Sequence, residues 1–487
     1  MNAHFLIAAI FLPFVGGLLL YPLKKLSFRA VKLYTAAITL LTSVLVWTLI
    51  LTCSENAVEL IRFADNLVLR LRFDGLGRFF AGIIATLWPL TVLYGFSYME
   101  HEERLTTFFA FFTVAFGVTL GISMSANLFT MYCFYELLTL STVPLVIHKL
   151  DRQSVRAART YFVFSIGGAA FAFAAMVFLL ANGISGDFSF GGLLTEHPYG
   201  KQSITLIFYL LGFLGFGVKA AVFPTDYWLP KASVAPTPVT ALLHAVAVVK
   251  SGVFAIIRLT NFAFGTSLLK GTWVQTVVMC FAVFTMFYGA TRAVKESHWK
   301  RRLAYSTVAN LSYILFGVTM MTAEGLSAGL LHMAFHAEIK ILAFFCAGAV
   351  LHKTGREYIY ELDGLGKKMP VTFACFTVSA LALVGIPPFS GFVSKWYLLT
   401  AAASSENVLA YIGTGVLLLA ALLTAIYMFT TVRRAWFPDS DTDLSSLADV
   451  REAGWRMTVP MVILATATLL TGLFAQPIVN AISAIIR

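Results

Sequence analysis

Eight residues able to hold or release a proton lie inside runs that are otherwise apolar. Glu136 falls in LFTMYCFYELLTLSTVPLVIH and Lys219 in GFGVKAAVFPTDYWLP, while His244 and Lys250 share ALLHAVAVVKSGVFAIIRL. His332, His336 and Lys340 share GLLHMAFHAEIKILAFFCAGAV, and Lys395 stands in VGIPPFSGFVSKWYLL. Carboxylate, ammonium and imidazole groups in series are the parts of a relay for protons or small cations. Other chemistries lack their residue sets. Cys53, Cys133, Cys280, Cys346 and Cys375 are scattered without a CxxC pair, and no Walker A loop or Rossmann glycine signature occurs. The expectation is that the chain itself carries no redox cofactor, metal or nucleotide.

An ionisable side chain at a helix centre costs about 2.5–3.5 kcal/mol on insertion scales, so each needs a reason to be there. Arg258 is read as a helix-end anchor snorkelling to the headgroups. Snorkelling is harder for Lys219 and Lys250. His244 taken alone reads equally as a packed, hydrogen-bonded histidine or as a relay. His332, His336 and Lys340 are spaced i, i+4, i+8 and so line one helix face, which in so apolar a helix points to a wet cavity. Glu338 lies off that stripe, facing either a neighbouring subunit or an internal lysine.

The elements that must position these groups follow from composition. Of 487 residues, 59% are hydrophobic and 12% charged, against about a quarter charged in soluble domains. Apolar runs long enough to span a bilayer recur near 3–22, 33–52, 79–97, 106–122, 126–147, 160–181, 203–223, 239–260, 272–291, 303–322, 326–350, 371–400, 408–432 and 457–480. This is an all-α polytopic membrane protein, a single membrane domain over 1–487 with about fourteen transmembrane helices. With the N-terminus outside, 23 of the 35 basic residues fall in inner loops and seven outside, the positive-inside pattern. That predicts a multi-pass protein of the cell membrane with both termini outside. The net charge of +11 is then topology rather than a nucleic-acid signal. The N-terminal run has its positive charges after the apolar stretch and no evident cleavage site, so it reads as a retained helix rather than a signal peptide.

Two helices carry breaks beside a lysine. Pro224 interrupts the one with Lys219, and Gly385-Ile386-Pro387-Pro388 interrupts the one with Lys395. A proline removes a backbone donor and frees a carbonyl, which hydrocarbon tolerates only where protein or a water-filled cavity meets it. Matching breaks in two halves, 105–260 and 272–436, predict inverted five-helix repeats with the site near the midplane.

The stretch GFGVKAAVFPTDYWLPKASVAPTPVTALLHAVAVVKSGVFAIIRL resembles the central signature of antiporter-like subunits of respiratory complex I, membrane-bound energy-converting hydrogenases and Mrp-type cation/proton antiporters. LRFDGLGRFF, YGFSYME, NLFTMYCFYELLTLSTVPLV, WKRRLAYSTVANLSYILFG, HMAFHAEIKILAFFCAGAVLHKTG, LDGLGKKMPVTFACF and GIPPFSGFVSKWYLL extend the likeness over nearly the whole chain. The resemblance implies a Glu136–Lys219 pair, a central Lys250 and a terminal Lys395. It looks like one of the shorter members, and HAEIKILAFFCAGAV leans towards Mrp-like and hydrogenase-like versions. Many members read FPxHxWLPxAH; here Asp226 and Ser233 replace the two histidines and Lys231 replaces an acid, which alters the ion entry route. Glu338 stands where the family usually has an apolar residue.

The function this implies is translocation of protons, or of sodium ions, by a subunit of a redox-driven complex. Separation of Glu136 from Lys219 would release a proton to Lys250, past the His332/His336/Lys340 stripe, to Lys395 and the outer side. Partners would be other membrane subunits, antiporter-like ones among them, lipids, and peripheral subunits holding iron–sulfur clusters or other redox centres. A Mrp-type sodium/proton antiporter without redox chemistry is the alternative, and a non-conducting membrane scaffold is a second. The scaffold alone predicts that the mid-membrane charges are dispensable.

Overall fold

The computed structural model describes residues 2–23, 27–53, 55, 57–100, 102–438 and 447–486. Lys24, Lys25 and Arg487, used in the topology count, lie outside the described residues. In chain order come α1 (Asn2–Leu20), α2 (Phe28–Thr52), β1 (Val58–Ala64), β2 (Leu67–Leu71), α3 (Gly75–Tyr98), α4 (Leu105–Ser123), α5 (Leu128–Val146), α6 (Arg152–Ala181) and α7 (Gln202–Gly217). Then follow α8 (Trp228–Ala232), α9 (Thr237–Ala245), α10 (Val248–Ile257), α11 (Thr266–Leu269), α12 (Trp273–Lys295), α13 (Trp299–Thr319) and α14 (Ala323–Thr354). The rest are α15 (Pro370–Val384), α16 (Ser390–Ala403), α17 (Val408–Trp436), α18 (Trp455–Leu473) and α19 (Gln476–Ile486).

The protein is mostly helical, and every predicted span falls on a helix or on a helix pair. Among the described residues, ten segments are long and apolar enough to cross a membrane. Of the other predicted spans, α1 and α7 are shorter, α15 and α16 are halves of one, and α13 opens on Lys300, Arg301 and Arg302. Side-chain caps fix several starts. Asp74, Asn127, Asp151 and Thr322 accept from Gly77, Thr130, Ser154 and Gly325 N–H respectively, satisfying donors that a helix N-terminus leaves free. Buried hydroxyls such as those of Thr91, Thr113 and Thr119 donate to the carbonyl four residues back, so they need no outside partner in an apolar medium.

α14 is the central pillar, packed against α9, α13, α15, α16 and α18. The peripheral helices α2, α6 and α17 instead expose large apolar side chains, among them Leu33, Val44, Phe171, Val177, Ile412 and Leu422. Apolar outside and polar stripe inside is the arrangement a bilayer favours.

Three features depart from the sequence reading. The chain is not purely α: β1 and β2 form an antiparallel hairpin, and its alternating VELIRFADNLVLRL was legible as such. Arg72 and Ala126 backbone N–H groups tie the hairpin to the end of α4 through Met124 and Arg70 carbonyls. The predicted helix 239–260 is interrupted at Val246–Ala247, and continues past Ile257 as a π-helix, Arg258–Phe264. No proline or glycine marks that interruption.

Arg258 is the third correction. It is fully buried rather than snorkelling, and its guanidinium binds both carboxylate oxygens of Asp74 at 2.6 Å. Phe188, Phe254 and Phe262 surround it with ring centroids 4.7–5.1 Å away. Asp74 also caps α3 and lies 3.5 Å from Arg72, so one carboxylate ties α3, the hairpin and the π-helix together. Removing one partner of a buried pair costs about 3–5 kcal/mol because the other charge is left stranded. Arg258→Ala is therefore expected to lower the thermal unfolding midpoint of the detergent-solubilised protein sharply. Arg258→Lys should recover only part of it, since a lysine cannot bind both oxygens in the same plane.

Candidate functional site

α5 carries Glu136 in its middle, and the segment after α7 brings Lys219 against it. The sequence places the break at Pro224; the helix in fact ends at Gly217, so Lys219 lies within the break rather than beside it. α7 ends in GFLGFG, where glycines weaken the helix. The chain then turns through Ala221, whose φ is +55°. Trp228 holds this turn by donating from Nε1 to the Val218 carbonyl at 2.7 Å.

Lys219 is fully buried. Its Nζ donates to the Tyr135 backbone carbonyl, sits 3.4 Å from the Tyr135 ring centroid and lies 3.9 Å from Glu136 Oε1. Ring face, carbonyl and carboxylate together offset the loss of hydration. Glu136 keeps part of its side chain exposed, at 21%, so the pair joins a sealed lysine to an accessible carboxylate. The predicted pair is present, and Tyr135 is the partner the sequence reading missed.

The Lys219 segment also lies directly on α10. A Cβ added at Gly252 would come within 2.4 Å of Ala220 N and 3.0 Å of Lys219 Cβ. Only glycine permits that approach, two residues from Lys250. Lys250 is fully buried, and its Nζ has no protein hydrogen-bond partner among the described residues.

His332, His336 and Lys340 do share one buried face of α14. His332 Nδ1 pairs with Ser394 Oγ at 2.9 Å, and its ring lies 5.2 Å from Tyr313 and 6.0 Å from His336. Both His336 ring nitrogens lack a hydrogen-bond partner among the described residues. Lys340 donates to Ser306 Oγ at 2.8 Å, and Tyr427 OH donates to the same hydroxyl at 2.6 Å. Lys340 is thus held by α13, whose Ser306 is braced from α17, and is not paired with Glu338. His244 stands next to the α9–α10 interruption, 3.4 Å from Ser233 Oγ, with its ring against Phe344.

Lys395 closes the row. Its Nζ donates to the Leu383 carbonyl and to Val384 O at 2.9 Å, carbonyls released at the end of α15, where the helix dipole is negative. Gly385 makes this fit: its φ is +92°, and a Cβ there would meet Lys395 Cδ at 3.0 Å. Pro387 and Pro388 follow, and the chain resumes as α16 at Ser390. Pro224, Pro387 and Pro388 therefore all lie in non-helical segments, as predicted.

Glu338 meets neither a lysine directly nor the outside alone. Its Oε1 accepts from Ser390 Oγ at 2.9 Å and from Thr471 Oγ1 at 2.7 Å. Asp226 is buried with Oδ2 unpartnered, in the turn that follows Pro224. Hydroxyl partners such as Ser306, Ser390 and Ser394 were missed, although Ser390 and Ser394 stand one helical turn apart in PFSGFVSK. Among the described residues no cluster of three or more metal-ligating side chains occurs.

The family model described as "NADH:quinone oxidoreductase/Mrp antiporter, TM" matches residues 125–430, which hold all eight ionisable groups. The chloroplastic NAD(P)H-quinone oxidoreductase subunit 5 of Chara vulgaris is 30% identical over 85% of this chain and 64% of its own length. The Na(+)/H(+) antiporter subunit A1 of Staphylococcus aureus is 30% identical over 97% of this chain and 62% of its own. The chain thus spans less than two thirds of the length of these curated relatives. A solved archaeal membrane-bound sulfane sulfur reductase aligns with TM-score 0.86 and 24% identity, over 99% of this chain and 97% of its own. The Mrp complex of a Dietzia species aligns with TM-score 0.86 and 19% identity, over 100% and 97%. These two likenesses establish a common fold. With the matched region covering more than half of its length, the chain belongs to the transmembrane antiporter-like family shared by NADH:quinone oxidoreductases and Mrp antiporters.

Proposed function

We propose that this antiporter-like subunit moves protons along a row from Glu136 through Lys219, Lys250 and the His332/His336/Lys340 stripe to Lys395. It works within a multi-subunit complex of the cell membrane, driven by electron transfer in partner subunits that hold the redox centres. The observation that carries the reading is the Glu136–Lys219 pair: a sealed ammonium 3.9 Å from a partly exposed carboxylate, inside a helix break. An opposite charge favours the protonated lysine and burial disfavours it. Moving Glu136 away therefore tips Lys219 towards release. Lys250 and His336, which lack protein hydrogen-bond partners, are placed to receive. In hydrocarbon their remaining partners are internal water or the transported ion.

The two halves, 105–260 and 272–436, are in this reading inverted repeats within fourteen crossings, with both termini outside. His244 relays between Ser233 near the inner face and the row. Sodium in place of protons fits the same row; the second reading is a Mrp-type exchanger of sodium for protons without redox chemistry, which the match to subunit A1 over 97% of this chain favours. Mass spectrometry of the chains that co-purify from native membranes separates the two. Iron–sulfur partners support the redox-driven complex, and small hydrophobic partners without iron support the exchanger.

Lys219→Ala and Glu136→Ala are expected to reduce proton transport by the reconstituted complex to background, with assembly on native gels unchanged. Full transport in an assembled Lys219→Ala complex would sink the scheme in favour of a scaffold. In Lys250→Ala the charge must cross that stretch without a carrier, which adds a barrier of about 2.5–3.5 kcal/mol on the insertion scale. Transport should then fall about a hundredfold, read as the initial rate of acidification in vesicles.

A further inference from the structure

Glu338 is not needed by the row just described, yet it is held by two hydroxyls from two different helices. Ser390 is the first residue of α16, so its hydroxyl and the α16 N-terminus present positive potential to the carboxylate. Thr471 reaches it from α18. α18 comes unusually close here: a Cβ on Gly472 would meet the Pro388 carbonyl at 2.1 Å and Ser390 N at 2.6 Å. The break thus has two charged ends, with Lys395 at the carbonyls of α15 and Glu338 at the start of α16.

The second observation is a ladder along α16. Ser390 and Ser394 are four residues apart, so they share a face with Cβ atoms about 5–6 Å from one another, a gap one water bridges. Ser390 Oγ touches Glu338 Oε1 at 2.9 Å, and Ser394 Oγ touches His332 Nδ1 at 2.9 Å. Both serines are fully buried, whereas Glu338 is only partly so. A hydroxyl path therefore runs from the histidine stripe to a carboxylate at the outer edge of α14, α16 and α18.

We propose that Glu338 is a second proton acceptor of this subunit, a side exit reached from His332 through Ser394 and Ser390. This rests on the translocation reading above. In the step, the His332 imidazolium gives its Nδ1 proton to Ser394 Oγ, which passes its own proton through water to Ser390 Oγ. Ser390 passes its proton to Glu338 Oε1. His332 ends neutral, Glu338 ends as the carboxylic acid, and both hydroxyls are restored.

The test uses the whole complex in proteoliposomes. Glu338→Gln keeps an acceptor oxygen for both hydroxyls, so the fold is retained, while proton transport should fall by the share that survives in Lys395→Ala; Glu338→Asp should restore part of it. Lys395→Ala should leave a residual rate that the added Glu338→Gln removes. Unaltered transport in Glu338→Gln, beside a dead Lys219→Ala, overturns the proposal and leaves the main row standing. A readout independent of transport is the infrared carboxyl band that Glu338→Gln abolishes. After acidification of the inner face alone, that band should rise more slowly in Ser394→Ala than in the unaltered complex. An equal rise overturns the serine path even if Lys219→Ala proves active and the translocation reading itself falls.

Discussion

A charge placed in hydrocarbon must be met by the protein, and most of this structure is arranged around that cost. The backbone supplies much of the answer. Where a helix is broken, its last carbonyls lose their intrahelical donors and become ligands for an ammonium group. Lys395 uses those of Leu383 and Val384 in this way. Lys219 instead takes the Tyr135 carbonyl, one residue before its carboxylate partner. One break is therefore the socket for Lys395 and the other frees the chain to turn Lys219 onto α5, and the glycines at 217 and 385 are where the chain leaves the helix.

Two kinds of buried charge emerge from the same constraint. Arg258 has both terminal nitrogens on one carboxylate and three rings around its guanidinium, and such a pair fixes structure. Lys250 and His336 are buried without hydrogen-bond partners among the described residues, which is the property the proposed relay uses. The difference lies in the partners rather than in depth or residue type. Lys340, held by Ser306 and Leu303, stands between the two classes.

Packing sets the order of the row. Gly252 lets the Lys219 segment lie on α10, α14 runs the length of the core, and α16 brings Ser394 and Lys395 to the stripe. A row assembled from four helices and the turn that carries Lys219 has no counterpart in any single motif.

The sequence by itself determined the membrane class, the helices, the eight ionisable groups and the two proline breaks. Each is a local consequence of apolar length, of the cost of charge or of proline geometry. It also held signals that went unread, namely the alternation of the β1–β2 hairpin and the serine spacing on α16. The tertiary structure alone decided that Arg258 pairs with Asp74, 184 residues away in the chain, that α9 and α10 separate at Val246–Ala247, and that Glu338 docks on Ser390 and Thr471. Those outcomes depend on which helix lies beside which. Spacing along one helix carries no information about the groups a neighbour will present.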